Sequence, residues 1–374
     1  MKRSGFIPLM IPDIQQQDID AVVEVLKTGM LVQGQKVEEL EKNIAGYLGV
    51  KHAVAASSGT ATLHIALLAS GIGTGDEVIV PAFSFMATAN VIELTGARPV
   101  FVDIDIKTLN IDVSKIEEAI TRKTRAIMPV HEFGMACNIT EICEIASKYN
   151  LIVIEDAACA LGAKENGKYA GSFGEIASFS FHPRKAITSG EGGMLVTNND
   201  KLAEKFRILR NHGISFSNEK TEFVEAGFNY RMTDFQAAFV NSQFQRFEQI
   251  LGYRNMLADI YFEQLKNVPA IQLPFLPDKK NHTWQSYHIL VPANRDQIIK
   301  KLKAENIVTN LGAQCMPFQE YFQRKYRLDC QKLFPNAMKA YNQGLVLPLY
   351  NQLDAEDLKR VSEKLIKILG NENL

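Results

Sequence analysis

Between about residues 50 and 200 the chain alternates short apolar runs with stretches whose apolar positions recur every three or four residues. The runs Ala53–Ala56, Glu77–Val80, Pro99–Asp103, Ala126–Val130, Ile152–Glu155, Ala177–Phe181 and Met194–Thr197 have strand length. Several lack the two-residue alternation of a half-exposed strand, which suits strands buried on both faces of a parallel sheet. Thr60–Ala69, Ala87–Leu94, Val113–Ile120 and Ile139–Tyr149 carry the helical period. Strand–helix alternation of this kind predicts right-handed crossovers and a layered α/β domain.

After residue 232 the pattern changes. Thr233–Leu265 predicts a long helical stretch with a break near Gly252. A polar loop (Pro277–His282), a strand-like run (Trp284–Val291) and helices at Asp296–Glu305 and Ala355–Leu369 follow. The division expected is a large α/β domain over 13–246 and a smaller domain over 247–374, completed by residues 1–12.

Composition excludes some classes of function. A chain of 374 residues is long enough for more than one core. Apolar residues make up 46% and charged residues 22%, with a formal net charge of −1 and no Lys/Arg run. Neither nucleic acid nor an anionic membrane is an expected partner. The five cysteines form no C-x-x-C pair, which argues against a disulfide framework or a metal site and for a reducing compartment. No run of about 18 apolar residues occurs, and Pro8 and Pro12 interrupt the apolar N-terminal stretch. A cytoplasmic protein is expected.

In open α/β sheets ligands bind beyond the carboxyl ends of the strands. Ser57–Thr60, His131 and Asp156 all follow strand-like runs. The densest segment is Ser178–Gly193, where a strand-like run leads to Lys185 and then to a glycine-rich turn. An amine that attacks an aldehyde must be neutral. Burial or a neighbouring cation brings a lysine from ~10.4 toward ~7–8, and Arg184 stands beside Lys185. The competing reading is a surface lysine at a strand end. Asp156 ends a hydrophobic run and suits pairing with a pyridinium nitrogen, or equally the capping of a following helix. Ser57–Thr60 suits a phosphate at a helix N-terminus, with Gly59 permitting close approach, or a plain Ser/Thr cap. Gly190–Gly193 reads as a turn with unusual backbone angles.

Taken together these segments resemble the DegT-type sugar aminotransferases, a family of fold-type-I enzymes that use pyridoxal 5′-phosphate. Pro81–Asn90, Gly96–Asp103, Pro129–His131, Gly227–Thr233 and Leu347–Tyr350 agree in order and spacing, so the resemblance runs from about residue 8 to 370. It implies a mostly parallel central sheet flanked by helices, with a smaller α+β C-terminal domain. It implies that Lys185 holds the cofactor covalently and then moves the proton between substrate and cofactor carbons. Asp156 would hold the pyridine nitrogen, Gly59, Thr60 and Ser180 the phosphate, and Phe85 the ring face, although Phe85 also reads as a core residue. Asn229 would reach the phosphate of a neighbouring subunit, which makes the enzyme a homodimer with shared sites. Cys159 stands beside the ring where the family often has Gln, which leaves the bonding of the ring hydroxyl open. Glu132-Phe133 replaces a Leu-Tyr-like pair. His131 and His182 read as structural groups.

The resemblance further implies a nucleotide-diphospho-keto-sugar acceptor and an amino-acid donor, with glutamate expected. The Gly-Glu-Gly-Gly form after Lys185 resembles enzymes that aminate C4 of 4-keto-6-deoxy sugars. Two other functions share this fold. Sugar dehydratases of the family carry histidine at the lysine position, and a non-catalytic regulator would show a degraded site. Lys185 disfavours the first, and the joint presence of Lys185, Asp156, Thr60, Ser180 and Asn229 disfavours the second.

Overall fold

The computed structural model describes residues 5–217, 220–275, 281–292 and 294–370. Most of the polar loop expected at 277–282 lies outside the described residues, with only Asn281 and His282 inside them.

A seven-stranded sheet forms the centre. Its strands are β1 (His52–Ala56), β2 (Glu77–Pro81), β3 (Arg98–Val102), β4 (Thr124–Ile127), β5 (Ile152–Asp156), β6 (Ile176–Ser180) and β7 (Gly193–Thr197). The spatial order is β1-β7-β6-β5-β4-β2-β3. The pairs β6–β5, β5–β4, β4–β2 and β2–β3 are parallel. β7 runs antiparallel to both of its neighbours. A parallel connection needs a crossover, usually a helix. The link Phe181–Gly192 holds none, because it is given over to the turn that carries Lys185.

Neighbouring residues on these strands feed opposite cores. Val54, Val78, Val80, Ile154 and Leu195 enter one apolar cluster. Ala53, Ala55, Ala177, Met194 and Val196 enter a second, and Ile79, Ile127 and Val153 a third. A period-two backbone with both faces covered produces the unalternated runs seen in the sequence.

The first two helices, α1 (Gln16–Thr28) and α2 (Gln35–Leu48), were not anticipated by the pattern. They pack on α7 (Asp234–Phe244). Between the strands lie α3 (Gly59–Ala69), α4 (Ala87–Leu94), a helical turn over Val113–Ala119, and α5 (Ile139–Tyr149), with α6 (Asp200–Arg210) after β7. α3 is buried from Ala61 to Leu67.

The long helical stretch breaks between α7 and α8 (Phe247–Leu265), at Gln245–Arg246 and not at Gly252. Arg246 is buried, and its guanidinium donates to both Asp18 oxygens, at 2.8 and 2.6 Å, and to the Asp13 carbonyl. Aiming that side chain at α1 sets the break. Gly252 lies inside α8 with open space where a Cβ would stand, and a helix tolerates such a glycine at about 1 kcal/mol.

Beyond α8 come a two-stranded antiparallel sheet, β10 (Tyr287–Leu290) with β11 (Gly344–Leu347), and the helices α9 (Arg295–Ala304) and α10 (Ala355–Gly370). A hairpin, β8 (Ile214–Ser217) with β9 (Lys220–Phe223), precedes them, and its second strand is exposed. Ile7, Leu257, Tyr261, Trp284, Tyr287 and Leu365 share a fourth core. The segment from Ala313 to Ala340 packs instead into the first core, beside Phe83 and Phe101. A further apolar surface is left uncovered along α1 and the turn after it. Ile14, Ile19, Val23, Leu26, Met30, Leu31 and Val32 are all exposed.

Candidate active site

The carboxyl ends of β1, β2, β4, β5 and β6 and the start of β7 meet on one edge of the sheet. Gly193 pairs with Ala56 on one side and Ser180 on the other. A cavity of about 500 Å³ opens there, lined by Thr60, Phe85, Glu132, Asp156, Cys159 and Lys185 among others.

Lys185 sits on the link between β6 and β7. Its backbone N–H donates to His182 O at 2.8 Å, and Ser189 N–H donates back to Phe181 O at 3.0 Å. Gly190 has φ +79°, a left-handed conformation that glycine adopts freely. The turn brings Lys185 Nζ to 3.0 Å from Cys159 Sγ. The lysine thus faces the cavity and not the outer surface.

Asp156 is buried at the end of β5. Thr88 Oγ1 donates to its Oδ2 at 2.8 Å and Ala158 N–H to its Oδ1 at 3.2 Å. No helix follows it, so it caps none. Burial raises its pKa; the bonds from Thr88 and Ala158 and the Lys185 charge oppose that rise. Glu132 is buried in the same wall, and its Oε2 has no hydrogen-bond partner. Burial pushes the Glu132 carboxyl up to about 7, reinforced by Asp156 and opposed by Ser84 and Lys185. Burial also raises the Cys159 thiol, against the Lys185 charge.

Ser58 caps α3, with its Oγ accepting from Ala61 N–H at 3.0 Å. Gly59 and Thr60 open the helix, and their N–H groups have no intrahelical partner. Two glycines let this turn lie against the sheet. A Cβ on Gly59 would stand 2.9 Å from Ser180 Cβ, and one on Gly193 2.6 Å from the Ser58 carbonyl. Close approach, and not an unusual angle, is what Gly193 provides. The Ser180 hydroxyl lines the same corner and accepts from His182 N–H at 3.3 Å.

The family profile of the DegT/DnrJ/EryC1/StrS aminotransferases matches residues 12–366. The chain belongs to that family. A GDP-perosamine synthase from Caulobacter vibrioides is 43% identical over 80% of this chain and 82% of its own. A UDP-4-amino-4-deoxy-L-arabinose–oxoglutarate aminotransferase from Shewanella sediminis is 37% identical over 98% of this chain and 99% of its own. A structure from Streptococcus pneumoniae in its PLP-form has TM-score 0.93 at 28% identity, covering 98% of this chain and 99% of that one. The protein is a pyridoxal-phosphate-dependent sugar aminotransferase with the α/β fold of that class.

The cavity suits that cofactor. It offers a buried carboxylate with two donors for a pyridinium, free helix N–H groups for a phosphate, and an amine in the same cavity. Seven of the eight residues expected at the site line it: Gly59, Thr60, Phe85, Asp156, Cys159, Ser180 and Lys185. Phe85 is 69% exposed, which rules out its reading as core. Asn229 does not line it; it is exposed and bridges to Asn211. His131 is fully buried away from the cavity, with Nε2 2.9 Å from Glu155 and Nδ1 accepting from Cys137 N–H. His182 lines the cavity rim.

Sequence reasoning missed Thr88, which lies inside the Pro81–Asn90 motif one turn after Phe85 and bonds Asp156. It also missed the rim from the C-terminal part, Gln285, Ser286, Asn310 and Gly312. No local motif marks those four. Among the described residues no group of His, Cys, Asp or Glu could hold a metal, and no helix is long and apolar enough to cross a membrane.

Proposed function

We propose that this enzyme transfers the amino group of L-glutamate to a nucleotide-diphospho-4-keto-6-deoxyhexose, at C4, in the cytoplasm. The observation that carries the reading is Lys185 Nζ in one cavity with the buried Asp156, on a chain whose relatives act, by name, on GDP- and UDP-sugars. Oxoglutarate and a 4-amino group in one relative's name support the donor and the carbon. Such sugars supply precursors for polysaccharide or other glycoconjugates.

When bound, the cofactor supplies an electron-withdrawing ring that stabilises negative charge on the reacting carbon. Lys185 would hold its aldehyde carbon and, once freed, would take the proton from the donor α-carbon and in the second half of the cycle deliver one to the sugar carbon, a role worth ~10²–10⁴ in rate. Asp156 keeps the ring nitrogen protonated, and Thr88 fixes its orientation. Gly59, Thr60 and Ser180 hold the phosphate, and Phe85 covers the ring face.

The exposed apolar strip along α1 and Met30–Val32 is the surface on which a second copy docks. Asn229, exposed and outside its own cavity, then serves the partner's phosphate. The test combines two measurements. Borohydride reduction of the loaded protein should place a covalent adduct on Lys185. A panel of nucleotide-linked keto-sugars with glutamate should yield 2-oxoglutarate and an amino sugar identified by mass. No adduct at Lys185, or silence across the panel, overturns the reading.

A further inference from the structure

The cavity holds one polar group that the transfer chemistry above leaves without a task. Glu132 is buried, lines the cavity, and keeps Oε2 without a partner. An unpaired carboxylate in such a place costs stability unless a ligand completes it. Its surroundings narrow what that ligand offers. Asp156 at the end of β5, Cys159 in the turn after it and Lys185 on the β6–β7 link are the ionisable groups that interact with it. Ser84 is its neutral side-chain partner.

The chemistry of pyridoxal phosphate orders this wall. The aldehyde carbon that Lys185 would hold lies para to the ring nitrogen, with the phosphate arm on one flank and a hydroxyl on the other. If the phosphate goes to the Gly59–Thr60–Ser180 corner and the nitrogen to Asp156, the hydroxyl falls on the flank of Lys185 away from that corner. Cys159 and Glu132 line the same cavity, and both interact with Lys185. A thiol is a weak hydrogen-bonding group, and the Cys159 thiol is already the neighbour of Lys185 Nζ.

We propose that Glu132 is a positioning residue that makes the hydrogen bond to the cofactor's ring hydroxyl which Cys159 can make only weakly. One proton is shared between the carboxyl and the hydroxyl oxygen. A carboxyl raised to about 7 exchanges such a proton readily near neutral pH. The inference rests on the cofactor assignment above.

The decisive probe is a cofactor that lacks the contacted atom. Purified protein freed of cofactor is titrated with pyridoxal phosphate and with 3-deoxypyridoxal 5′-phosphate, followed by ultraviolet and visible absorbance. Wild type should bind the natural cofactor about tenfold more tightly, the effect of one buried hydrogen bond. Glu132→Leu should bind the two within about twofold, and adding Cys159→Gln to that variant should restore discrimination. Discrimination kept by Glu132→Leu overturns the proposal.

Should Glu132→Leu lose its cooperative melt, Glu132→Gln decides. Its amide carries no ionisable proton, so the pH midpoint of the visible band should move by about one unit. An unmoved midpoint overturns the proposal. Absence of any visible band in wild type would instead sink the cofactor assignment itself.

Discussion

Glu155 and Asp156 are consecutive on β5, and the pleat sends them to opposite faces of the sheet. Glu155 is buried where His131 Nε2 and the N–H groups of Gly171, Phe173 and Gly174 all donate to it, at 2.7–2.9 Å. Burial alone would raise its pKa, but those bonds outweigh burial and hold it low. Asp156 has two donors, and burial wins. The segment after β4 repeats the contrast one residue apart. His131 is satisfied at both ring nitrogens, whereas Glu132 keeps a bare oxygen in the cavity wall. Four adjacent ionisable groups thus divide into a saturated pair that holds β4 and β5 together and an unsaturated pair facing the cavity. Saturation marks architecture, and its absence marks the place where something binds.

The contrast can be broken residue by residue. Lys185→Ala should lower turnover by ~10⁴-fold or more, since covalent and proton-moving roles vanish together, while the thermal midpoint stays close to wild type. Next, Asp156→Asn should cost about 10²-fold in turnover with little change in melting. Glu155→Gln should do the reverse, removing roughly 2–4 kcal/mol of stability by denaturant titration because it breaks a buried charged network. Equal stability losses in the two variants would erase the distinction.

Glu132→Gln sharpens the contrast through pH. A carboxyl whose folded pKa is raised contributes stability that is fully present below the unfolded value near 4.5 and is lost as pH rises through about 7. The cofactor-free wild type should therefore lose on the order of 2–3 kcal/mol between pH 4.5 and 7 that the amide variant does not. Parallel unfolding curves at pH 5 and 8 would contradict this. The smallest effect belongs away from the site. Gly252→Ala should stabilise the protein by ~0.5–1 kcal/mol with turnover unchanged.

Much of the frame was legible because a sheet covered on both faces writes itself as unbroken apolar runs. Glu77–Val80 and Met194–Thr197 are such runs, and both are strands. The direction of β7 was not legible, since a run of apolar residues carries no sign. α1 and α2 escaped because their polar faces dominate short stretches. The helix break was misplaced at Gly252 because a glycine is a local signal, whereas Arg246 bends the chain to reach Asp18, more than two hundred residues earlier. At the site, the motif-bearing strand ends could be read. The division of labour between Glu155 and Asp156 could not, because it depends on donors from Gly171 to Gly174 that no spacing rule connects to them.

Helix α8 contributes Phe247, Ile250 and Leu251 to one apolar core and Leu257, Tyr261 and Leu265 to another. A continuous helix without proline, anchored at both ends, behaves as a strut. It resists bending between the two cores it joins. Room for sugars of different bulk must then come from the rim, where Gln285, Ser286, Asn310 and Gly312 can be exchanged without disturbing the chemistry below. A rigid frame with an editable edge lets one catalytic core diversify its acceptors.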